Sequence, residues 1–411
     1  MPRVLLLVPV TSYRTEAFLD AARRLRLDVT VGSNHRQLLA KFAPGRTLYI
    51  NLRDNTSTLA AIVRHCRDYP VAAVIGTDDE TTTLAAQAAA ALEVQHNAIS
   101  AVSAARNKLQ FRRLMSNAQL NGPGFNRIEL SAHATTVSAT MKYPCVLKPL
   151  DLSGSRGVIR ANNKTEFVRA FHRVRSIVET CAEPDSDPAL LVEDFIEGIE
   201  VSLEGLVTDG ALSVLALFDK PNPLDGPFFE ETIYVTPSRL GATQQRKIVA
   251  QTEAAVRALG LTTGPIHAEL RLGPKGAFVI EIAPRTIGGL CSRALRFQAN
   301  ASLEEIVLRQ AVGAKLDAET NHAPSGVMMI PIPGAGILKT VRGLSAATAV
   351  AGITDINIAI PPGEMLIPLP EGGRYLGFIF AEADSAEAVE HALRTAHGKL
   401  HFDISSPHIE R

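Results

Sequence analysis

The sequence lacks an excess of charge of either sign. Lys+Arg and Asp+Glu number 42 each, so the net charge of the 411-residue chain is near zero. Clustered basic charge is the usual mark of a protein that binds nucleic acid or a membrane surface. We therefore expect neither a nucleic acid nor a membrane as a partner. The hydrophobic fraction of 46% and the charged fraction of 20% suit a globular protein with a sizeable core.

Long hydrophobic runs are also missing. No stretch approaches the ~18 uninterrupted apolar residues of a membrane span. The apolar start Val4–Val8 is too short for a signal peptide and is better explained as a buried first strand. We predict a cytoplasmic protein.

Cysteine is scarce, and its spacing excludes two kinds of site. The four cysteines are far apart and form no CxxC pair; they are Cys66, Cys145, Cys181 and Cys291. This spacing disfavours both a structural zinc site and a disulfide framework. We expect buried free thiols in a reducing compartment.

The first ~100 residues, about the size of one domain, alternate short apolar runs with helical patterns. The predicted strands are Val4–Val8, Val29–Gly32, Thr47–Asn51 and Val71–Ile75, and the predicted helices are Glu16–Leu25 and Thr81–Leu92. Such alternation indicates an α/β fold with a parallel sheet and helices on its faces. Farther along, Ser103 is a candidate cap for one helix that runs to about Leu120.

Three acidic residues follow the predicted strand Val71–Ile75, in the segment Gly76-Thr77-Asp78-Asp79-Glu80. Strand ends of this kind often hold ligands in α/β sheets. The acids serve equally well as a helix cap and as first-turn charge. The sequence leaves both interpretations open.

Two alternating runs, Ile266–Leu272 and Phe278–Ala283, flank a Gly- and Pro-containing segment and predict a β-hairpin. With a loop at 273–277, the apolar pairs would be Ala268 with Ile282, Leu270 with Ile280, and Leu272 with Phe278. Glu269 would then face Glu281 on the other side of the sheet. Opposed carboxylates repel and need a cation, a shared proton or water. Mg²⁺ suits such a pair, although two solvated glutamates are the plain alternative.

Candidate anion-binding groups lie on both sides of this hairpin in the sequence. Lys148 ends a strand and leads into the loop Ser153–Val158, whose glycines can turn backbone N–H groups toward an anion. The spacing of the P-loop and of the Rossmann fingerprint is absent. Lys108 lies in a helical pattern. Arg285 follows Glu281 by four residues and could brace phosphate oxygens or an oxyanion.

Two further segments could contact ligands through their backbone. Along Leu190–Ser202, apolar residues give way to acidic residues. Its backbone could bond an adenine edge and a carboxylate could accept ribose hydroxyls; an edge strand with exposed acids is the alternative. Gly288 and Gly289 would let a substrate approach the main chain closely.

In this order, the motifs resemble the ATP-grasp superfamily over roughly residues 1–310. Within it, Glu-Ile-Ala-Pro-Arg-x-x-Gly-Gly from Glu281 and the Pro- and Gly-rich C-terminal segment resemble the L-amino acid ligases. The resemblance implies an N-terminal Rossmann-like α/β domain (1–102), a lid with a glycine loop (103–190), an antiparallel catalytic half (191–319) and a small α+β appendage (320–411). It implies a carboxylate–amine ligase that uses ATP and one or two Mg²⁺, with Mn²⁺ as a substitute. A homodimer stays open.

The resemblance also implies roles for individual residues. The nucleotide would be held by Lys108, Lys148, the loop residues Ser153, Gly154, Ser155, Gly157 and Val158, the adenine contacts Glu193, Phe195 and Ile196, and the ribose contact Glu200. Glu269 and Glu281 would bind metal. Arg285 would stabilise the acyl phosphate and the tetrahedral intermediate. Tyr234, Gly288 and Gly289 would face the small-molecule carboxylate and amine substrates.

Two positions depart from the pattern of these families. Ala283 stands where many ATP-grasp proteins carry Asn, and Tyr234 stands where amino acid ligases tend to carry histidine. The rival functions are a purine-pathway ligase or a biotin-type carboxylase of the same superfamily. A kinase and a non-catalytic ATP-binding module are rivals of other classes.

Overall fold

The computed structural model describes residues 1–36, 42–181, 187–315 and 323–405. The predicted domain boundary at 319/320 lies outside these residues. Within the described ranges, the helices are α1 (Thr15–Arg24), α2 (Asn55–Asp68), α3 (Asp79–Ala91), α4 (Ile99–Arg106), α5 (Lys108–Asn117), α6 (Ala134–Ser138), α7 (Lys164–Cys181), α8 (Ala242–Leu259), α9 (Leu303–Ala311), α10 (Leu344–Thr348) and α11 (Ala386–His397). No helix among them combines the length and apolarity needed to cross a membrane.

The strands follow the same order along the chain. They are β1 (Arg3–Leu7), β2 (Asp28–Ser33), β3 (Thr47–Tyr49), β4 (Ala73–Gly76), β5 (Phe125–Glu129), β6 (Cys145–Pro149), β7 (Ile159–Ala161), β8 (Ala189–Asp194), β9 (Ile199–Thr208), β10 (Ala211–Asp219), β11 (Ile233–Thr236), β12 (Gly264–Gly273), β13 (Gly276–Ala283), β14 (Ser325–Ile330), β15 (Gly336–Arg342), β16 (Ile353–Ile358), β17 (Met365–Leu366), β18 (Gly377–Glu382) and β19 (His401–Ser405). The predicted mixed α/β fold is confirmed.

The N-terminal domain is a parallel sheet in the strand order β3-β2-β1-β4. Its central strand β1 is buried on both faces: Val4 and Leu6 pack in one core and Leu5 and Leu7 in another. This double burial explains the uninterrupted apolar run at the start of the chain. The predicted parallel sheet is confirmed, whereas the sequence analysis missed helix α2.

The segment predicted as the lid (103–190) forms, together with the end of β8 beyond it, a separate antiparallel sheet in the order β5-β8-β6-β7. The name lid is kept for this sheet and its helix. Helix α7 covers it through the buried side chains of Phe167, Phe171 and Val174. Lys148 lies near the end of β6, and the glycine loop joins β6 to β7. The lid therefore presents the lysine and the loop together.

The segment predicted as the catalytic half (191–319) and the C-terminal segment share one eight-stranded sheet, in the order β13-β12-β9-β10-β11-β14-β18-β16. Strands β11 and β14 pair across the junction between them. Phe218 and Tyr234 from the first part pack in one core with Met329 and Phe378 from the second. The C-terminal segment is thus joined to the catalytic sheet by main-chain pairing as well as by side-chain packing. A smaller sheet, β17-β15-β19, completes it.

The predicted single helix from Ser103 to Leu120 is wrong, because the chain forms two helices. Asn107 has extended backbone angles (φ −103°, ψ 110°), and its side chain accepts a hydrogen bond from Gln110 N at 3.0 Å. Asn is a strong N-cap residue, so this local bond starts helix α5 afresh. Lys108 is therefore the first residue of a helix, and its N–H donates to Leu150 O beside the lid.

The hairpin β12–β13 confirms the predicted pairing of Glu269 with Glu281 and of Ala268 with Ile282. The predicted pairs of Leu270 with Ile280 and of Leu272 with Phe278 are wrong. The register shifts after Glu269, and Leu270 pairs with Val279 and Leu272 with Ala277. Val279 and Ala277 face the core instead.

The cause of this shift is a shorter turn than predicted. Gly273 pairs with Gly276, which leaves only Pro274 and Lys275 between the strands. Two-residue turns are favoured in hairpins, and the surplus residue is accommodated as a β-bulge near Ile280.

The cysteines are all free. Cys66, Cys145 and Cys291 are buried, as predicted, and Cys181 is partly exposed. Burial raises the pKa of the Cys145 thiol to about 12. The chain therefore owes no part of its described fold to a disulfide.

Candidate active site

One cavity of about 280 Å³ lies where the N-terminal domain, lid, catalytic half and C-terminal segment meet. Every predicted site residue except Gly157 lines it: Lys108, Lys148, Ser153, Gly154, Ser155, Val158, Glu193, Phe195, Ile196, Glu200, Tyr234, Glu269, Glu281, Arg285, Gly288 and Gly289. Gly157 instead donates its N–H to Pro370 O of the C-terminal segment at 2.9 Å. Residues predicted from separate motifs thus face one space.

Two lysines mark the end of the cavity nearest the lid. Lys148 is buried, and its Nζ lies 2.6 Å from Glu193 Oε2. Lys108 Nζ donates to Leu152 O at 2.5 Å, which ties helix α5 to the start of the glycine loop. Both ammonium groups therefore lie beside the loop that could cover an anion.

Glu193 is the centre of a buried ionic cluster. Its carboxylate contacts Lys148 and also Arg112, whose Nε lies 2.5 Å from Oε1. Arg112 donates in turn to the carbonyls of Val279 and Ile280 on β13. Burial alone would raise the pKa of Glu193, but the two cations outweigh burial and lower it to about 2. The Glu193 side chain therefore joins the lid to helix α5 and, through Arg112, to the hairpin β12–β13.

Two guanidinium groups lie over the ring of Phe195. Arg160 and Arg271 stand 4.0 Å and 5.0 Å from its ring centroid. Phe195 N donates to Pro144 O at 3.1 Å, and Ile196 O accepts from Arg271 at 2.8 Å. These contacts order the segment predicted to face adenine.

Three carboxylates gather around one buried lysine. Oxygens of Glu200, Glu231 and Glu269 lie within 4.8 Å of one another. Lys220 Nζ lies 2.9 Å from Glu200 and 3.6 Å from Glu269, and it also contacts Glu231. Burial and the charge of Glu269 raise the pKa of Glu231 to about 7. The lysine ammonium offsets part of this negative charge.

Glu269 and Glu281 lie side by side on the hairpin. Burial raises the pKa of Glu281, and the charge of Glu269 raises it further. Burial also disfavours the charged form of Glu269, but Lys220 and His267 outweigh it and hold that pKa well below its usual range. Adjacent carboxylate oxygens that repel each other fit a divalent cation, and Mg²⁺ prefers such ligands. Ala283, by contrast, offers no ligand side chain.

A buried histidine orders the surroundings of Glu269. His267 Nδ1 contacts Glu204 Oε1, and its Nε2 lies 3.4 Å from Glu269 Oε1. The second oxygen of Glu204 accepts the N–H of Ile287 at 3.0 Å. Glu204 thereby connects β9, β12 and the segment after Arg285.

Arg285 reaches across to the N-terminal domain. Its NH2 lies 2.6 Å from Asp79 Oδ2, and its NH1 donates to Thr286 O at 2.9 Å. Burial lowers the pKa of Arg285, but Asp79 and then Glu281 outweigh it and raise that pKa. Asp79 is also the first residue of α3. The interpretation as first-turn helix charge therefore applies to Asp79, which also lines the cavity.

The other end of the cavity is bounded by glycines, aromatic rings and sulfur atoms. Gly288 and Gly289 lie beside Tyr234, Met329 and Tyr375. Gly289 has φ +60°, and a Cβ there would come within 2.8 Å of the Phe378 ring. A residue with a side chain would be strained at this position.

Sequence reasoning missed four charged residues at or beside the cavity. Arg14, Glu231 and Arg271 line it, and Lys220 lies against Glu200 and Glu231. No spacing pattern in the sequence assigns these residues a role. Only their distant partners, such as Thr286 for Arg14, mark them out.

Comparisons with known proteins agree with this geometry. A family model for the ATP-grasp domain matches residues 141–294. The model for the ATP-grasp N-terminal domain matches 19–94, and that for the L-amino acid ligase C-terminal domain 2 matches 328–405. Together the three matches follow the order of domains along the chain.

Several curated proteins are similar in sequence. "Uncharacterized protein y4rH" of Sinorhizobium fredii (strain NBRC 101917 / NGR234) is 23% identical, over 98% of this chain and 84% of its own length. Alanine–anticapsin ligase of Bacillus amyloliquefaciens is 27% identical over 49% of this chain and 46% of its own length. The chain thus spans less than half of that second relative.

Solved structures agree in fold. An L-amino acid ligase from Bacillus licheniformis matches with a TM-score of 0.81 and 24% identity, over 99% of each chain. A phosphoribosylglycinamide synthetase from Anaerococcus prevotii matches with a TM-score of 0.69 and 14% identity, over 98% of this chain and all of its own. Domain order, sequence relatives and fold lead to one conclusion: this chain carries an ATP-grasp domain and is similar to the L-amino acid ligases.

Proposed function

We propose that the chain joins a carboxylate to an amine at the expense of ATP, through an acyl phosphate, and that at least one substrate is an amino acid. One observation carries this proposal. Two lysines, a glycine loop, a paired set of carboxylates and an arginine line a single cavity. These are the groups that phosphoryl transfer followed by acyl transfer requires.

The nucleotide would lie at the lid end of this cavity. Lys108 and Lys148 would contact its phosphates, and the loop Ser153–Val158 would cover them. The segment Phe195–Ile196 would face adenine through its backbone. Glu200 would accept ribose hydroxyls, with Lys220 and Arg271 holding its carboxylate in place.

Glu269 and Glu281 would hold one or two Mg²⁺ ions. When bound, the metal would neutralise phosphate charge in the manner usual for kinases and ATPases. The mutual repulsion of the two carboxylates and the raised pKa of Glu281 support this assignment. His267 would keep Glu269 oriented, because its ring is itself fixed by Glu204.

The chemistry then takes two steps. A substrate carboxylate oxygen attacks the γ-phosphorus of ATP, ADP leaves, and an acyl phosphate forms. An unprotonated amine attacks the acyl carbon, inorganic phosphate leaves, and an amide remains. Arg285 would stabilise the negative charge that develops on oxygen in both steps. When closed over the phosphates, the loop Ser153–Val158 would keep water away from the acyl phosphate.

A substrate screen tests the proposal. The purified chain is given ATP, Mg²⁺ and amino acids singly and in pairs, and ADP release is followed. We expect release to depend on a particular pair, with a product whose mass equals the two substrates minus water. ADP release that needs bicarbonate alone would indicate a carboxylase instead, and a stable phosphorylated product would indicate a kinase.

The metal assignment predicts the effect of two substitutions. Glu269→Gln and Glu281→Gln keep the shape of each side chain but remove a ligand charge. We expect each to lower ADP release at least ~100-fold at saturating ATP, a loss of ~2.7 kcal/mol in transition-state stabilisation. Glu387→Gln, on the exposed surface of α11, is the matched control and should leave the rate unchanged. Full activity of Glu281→Gln would refute the paired site.

A further inference from the structure

Asp79 is a conspicuous acid of the N-terminal domain that the proposed chemistry does not use. It lies on α3, immediately after strand β4, and faces the main cavity. Its carboxylate contacts Arg285, a residue 206 positions away in the sequence. The side chain of Asp79 is 16% exposed and that of Arg285 is 10% exposed. Asp79 of the N-terminal domain therefore forms a buried ion pair with Arg285, the residue that would stabilise the developing negative charge.

Arg285 has few other fixed contacts. Its NH1 donates to the carbonyl of the adjacent residue Thr286. Its Nε is buried and finds no hydrogen-bond partner in the described ranges of the chain. Asp79 is thus the only acid within ion-pair distance of its guanidinium among the residues that the structure describes. The direction of this long side chain depends on that one carboxylate.

Thr286, the next residue, is held from the same domain. Arg14 donates to Thr286 O at 2.9 Å and to Thr286 Oγ1 at 2.7 Å. Asp78 Oδ1 accepts from Arg14 at 3.2 Å, and Asp78 Oδ2 accepts from Ser12 at 2.6 Å. Residues that follow two strands of the N-terminal domain therefore bond the main chain and the side chains of Arg285 and Thr286.

Glu281 is a second acid whose charge acts on the guanidinium, although it lies beyond ion-pair distance. Glu281 lies four residues before Arg285 and lines the same cavity, and after Asp79 it is the acid that most favours the charged arginine. If Asp79 lost its charge, Arg285 would be drawn toward Glu281. A guanidinium that pairs with Glu281 would displace a divalent cation from that carboxylate, because both need the same oxygens.

We propose that Asp79 is a positioning residue that holds Arg285 over the substrate end of the cavity and away from the metal carboxylate Glu281. The inference rests on the proposed function for the role of Arg285. Its central claim, that Asp79 protects divalent-cation binding, can be tested without the ligase reaction. The N-terminal domain would then be part of the active site and not only a support for it.

The test measures Mn²⁺ affinity by electron paramagnetic resonance in the presence of a non-hydrolysable ATP analogue. Asp79→Asn removes the charge with little change of shape. We expect it to weaken Mn²⁺ binding about tenfold, the lower end of the effect of groups that support metal ligands. Asp79→Glu keeps the charge and should bind Mn²⁺ within about twofold of the wild type. Affinity of Asp79→Asn within twofold of the wild type would overturn the proposal.

Controls separate this role from a purely structural one. Asp28→Asn makes the same substitution in the same domain, where Asp28 pairs with Arg3 and Arg46 outside the cavity. It should leave Mn²⁺ affinity unchanged even if it lowers the melting temperature. Arg285→Ala in the Asp79→Asn background should restore Mn²⁺ affinity, because the competing guanidinium is gone. If it does not, the competition with Glu281 is wrong, whether or not the wild type makes an amide.

Discussion

At the scale of single residues, charge pairs buried among the domains hold the site together. Glu193 contacts Lys148 and Arg112, and both cations are buried with it. Breaking a buried pair by removing one partner leaves an uncompensated charge, which typically costs ~3–5 kcal/mol. The Glu193 carboxylate therefore has a structural role of its own, beside the adenine contact predicted for this residue.

Glu193→Gln should lower the free energy of unfolding by about 3–5 kcal/mol near neutral pH. The pKa of Glu193 falls from its usual 4.5 to about 2 in the folded chain. Its contribution is therefore fully present above pH 4.5 and is lost as the pH falls toward about 2. The difference between wild type and variant should shrink over that window.

The chain has no tryptophan whose fluorescence could report unfolding. Urea unfolding is therefore followed by far-ultraviolet circular dichroism to measure this difference. Glu129→Gln is the control, because Glu129 lies in the same lid sheet and its side chain is half exposed. Its effect should stay below ~1 kcal/mol at every pH. A difference for Glu193→Gln that is constant from pH 7 to pH 3 would contradict the assigned ion pairs.

At the scale of secondary-structure elements, a single cap residue decides where Lys108 lies. Asn107 caps α5 through Gln110 N and donates to Asp151 Oδ1 at 2.9 Å. It therefore both starts the helix and joins it to the chain that leads into the glycine loop. Lys108, the lysine that we propose contacts phosphate, is therefore oriented by its neighbour in sequence.

Asn107→Ala should lower the free energy of unfolding by about 1 kcal/mol, the usual effect of losing an N-cap. It should also raise the KM for ATP, because Lys108 loses its fixed helix start. Asn117→Ala changes an exposed residue at the other end of the same helix and should alter neither quantity. Chemical unfolding and initial-rate kinetics measure the two effects. An unchanged KM for ATP would show that the Asn107 cap does not control how Lys108 is placed.

At the scale of the whole molecule, the C-terminal segment holds the lid. Gly157 N donates to Pro370 O, and Arg156 Nε donates to Glu371 O at 3.3 Å. The Glu371 carboxylate pairs with Arg173 of α7 at 2.6 Å and 2.9 Å. Because both side chains are nearly half exposed, this pair contributes at most about 1 kcal/mol. We expect a contact this weak to let the proposed lid open for substrates and products.

Glu371→Ala should therefore increase the open fraction of the lid about two- to fivefold, as expected for ~0.5–1 kcal/mol. Limited trypsin cleavage after Arg156 should accelerate by the same factor, and an ATP analogue should suppress it. Asp403→Ala, which removes an exposed pair with Arg342, is the control. Cleavage that stays at the wild-type rate would show that the segment does not hold the lid.

Local pattern predicted the parallel N-terminal sheet, the hairpin and the pairing of Glu269 with Glu281, because periodicity and turn residues act over a few positions. It failed where a choice between local alternatives was needed. Asn107 started a new helix, and a two-residue turn moved Phe278 and Ile280 away from the core. Both outcomes depend on single residues within otherwise regular patterns.

The sequence alone determined which residue types are available: the lysines, the paired glutamates and the arginine that follows them. Tertiary structure decided their partners, because an ion pair such as Asp79 with Arg285 joins residues 206 positions apart and leaves no periodic trace. It also decided that Lys220 stands among three carboxylates. Buried charges require a counter-charge in space and not in sequence, so only the folded chain reveals which cation serves which acid.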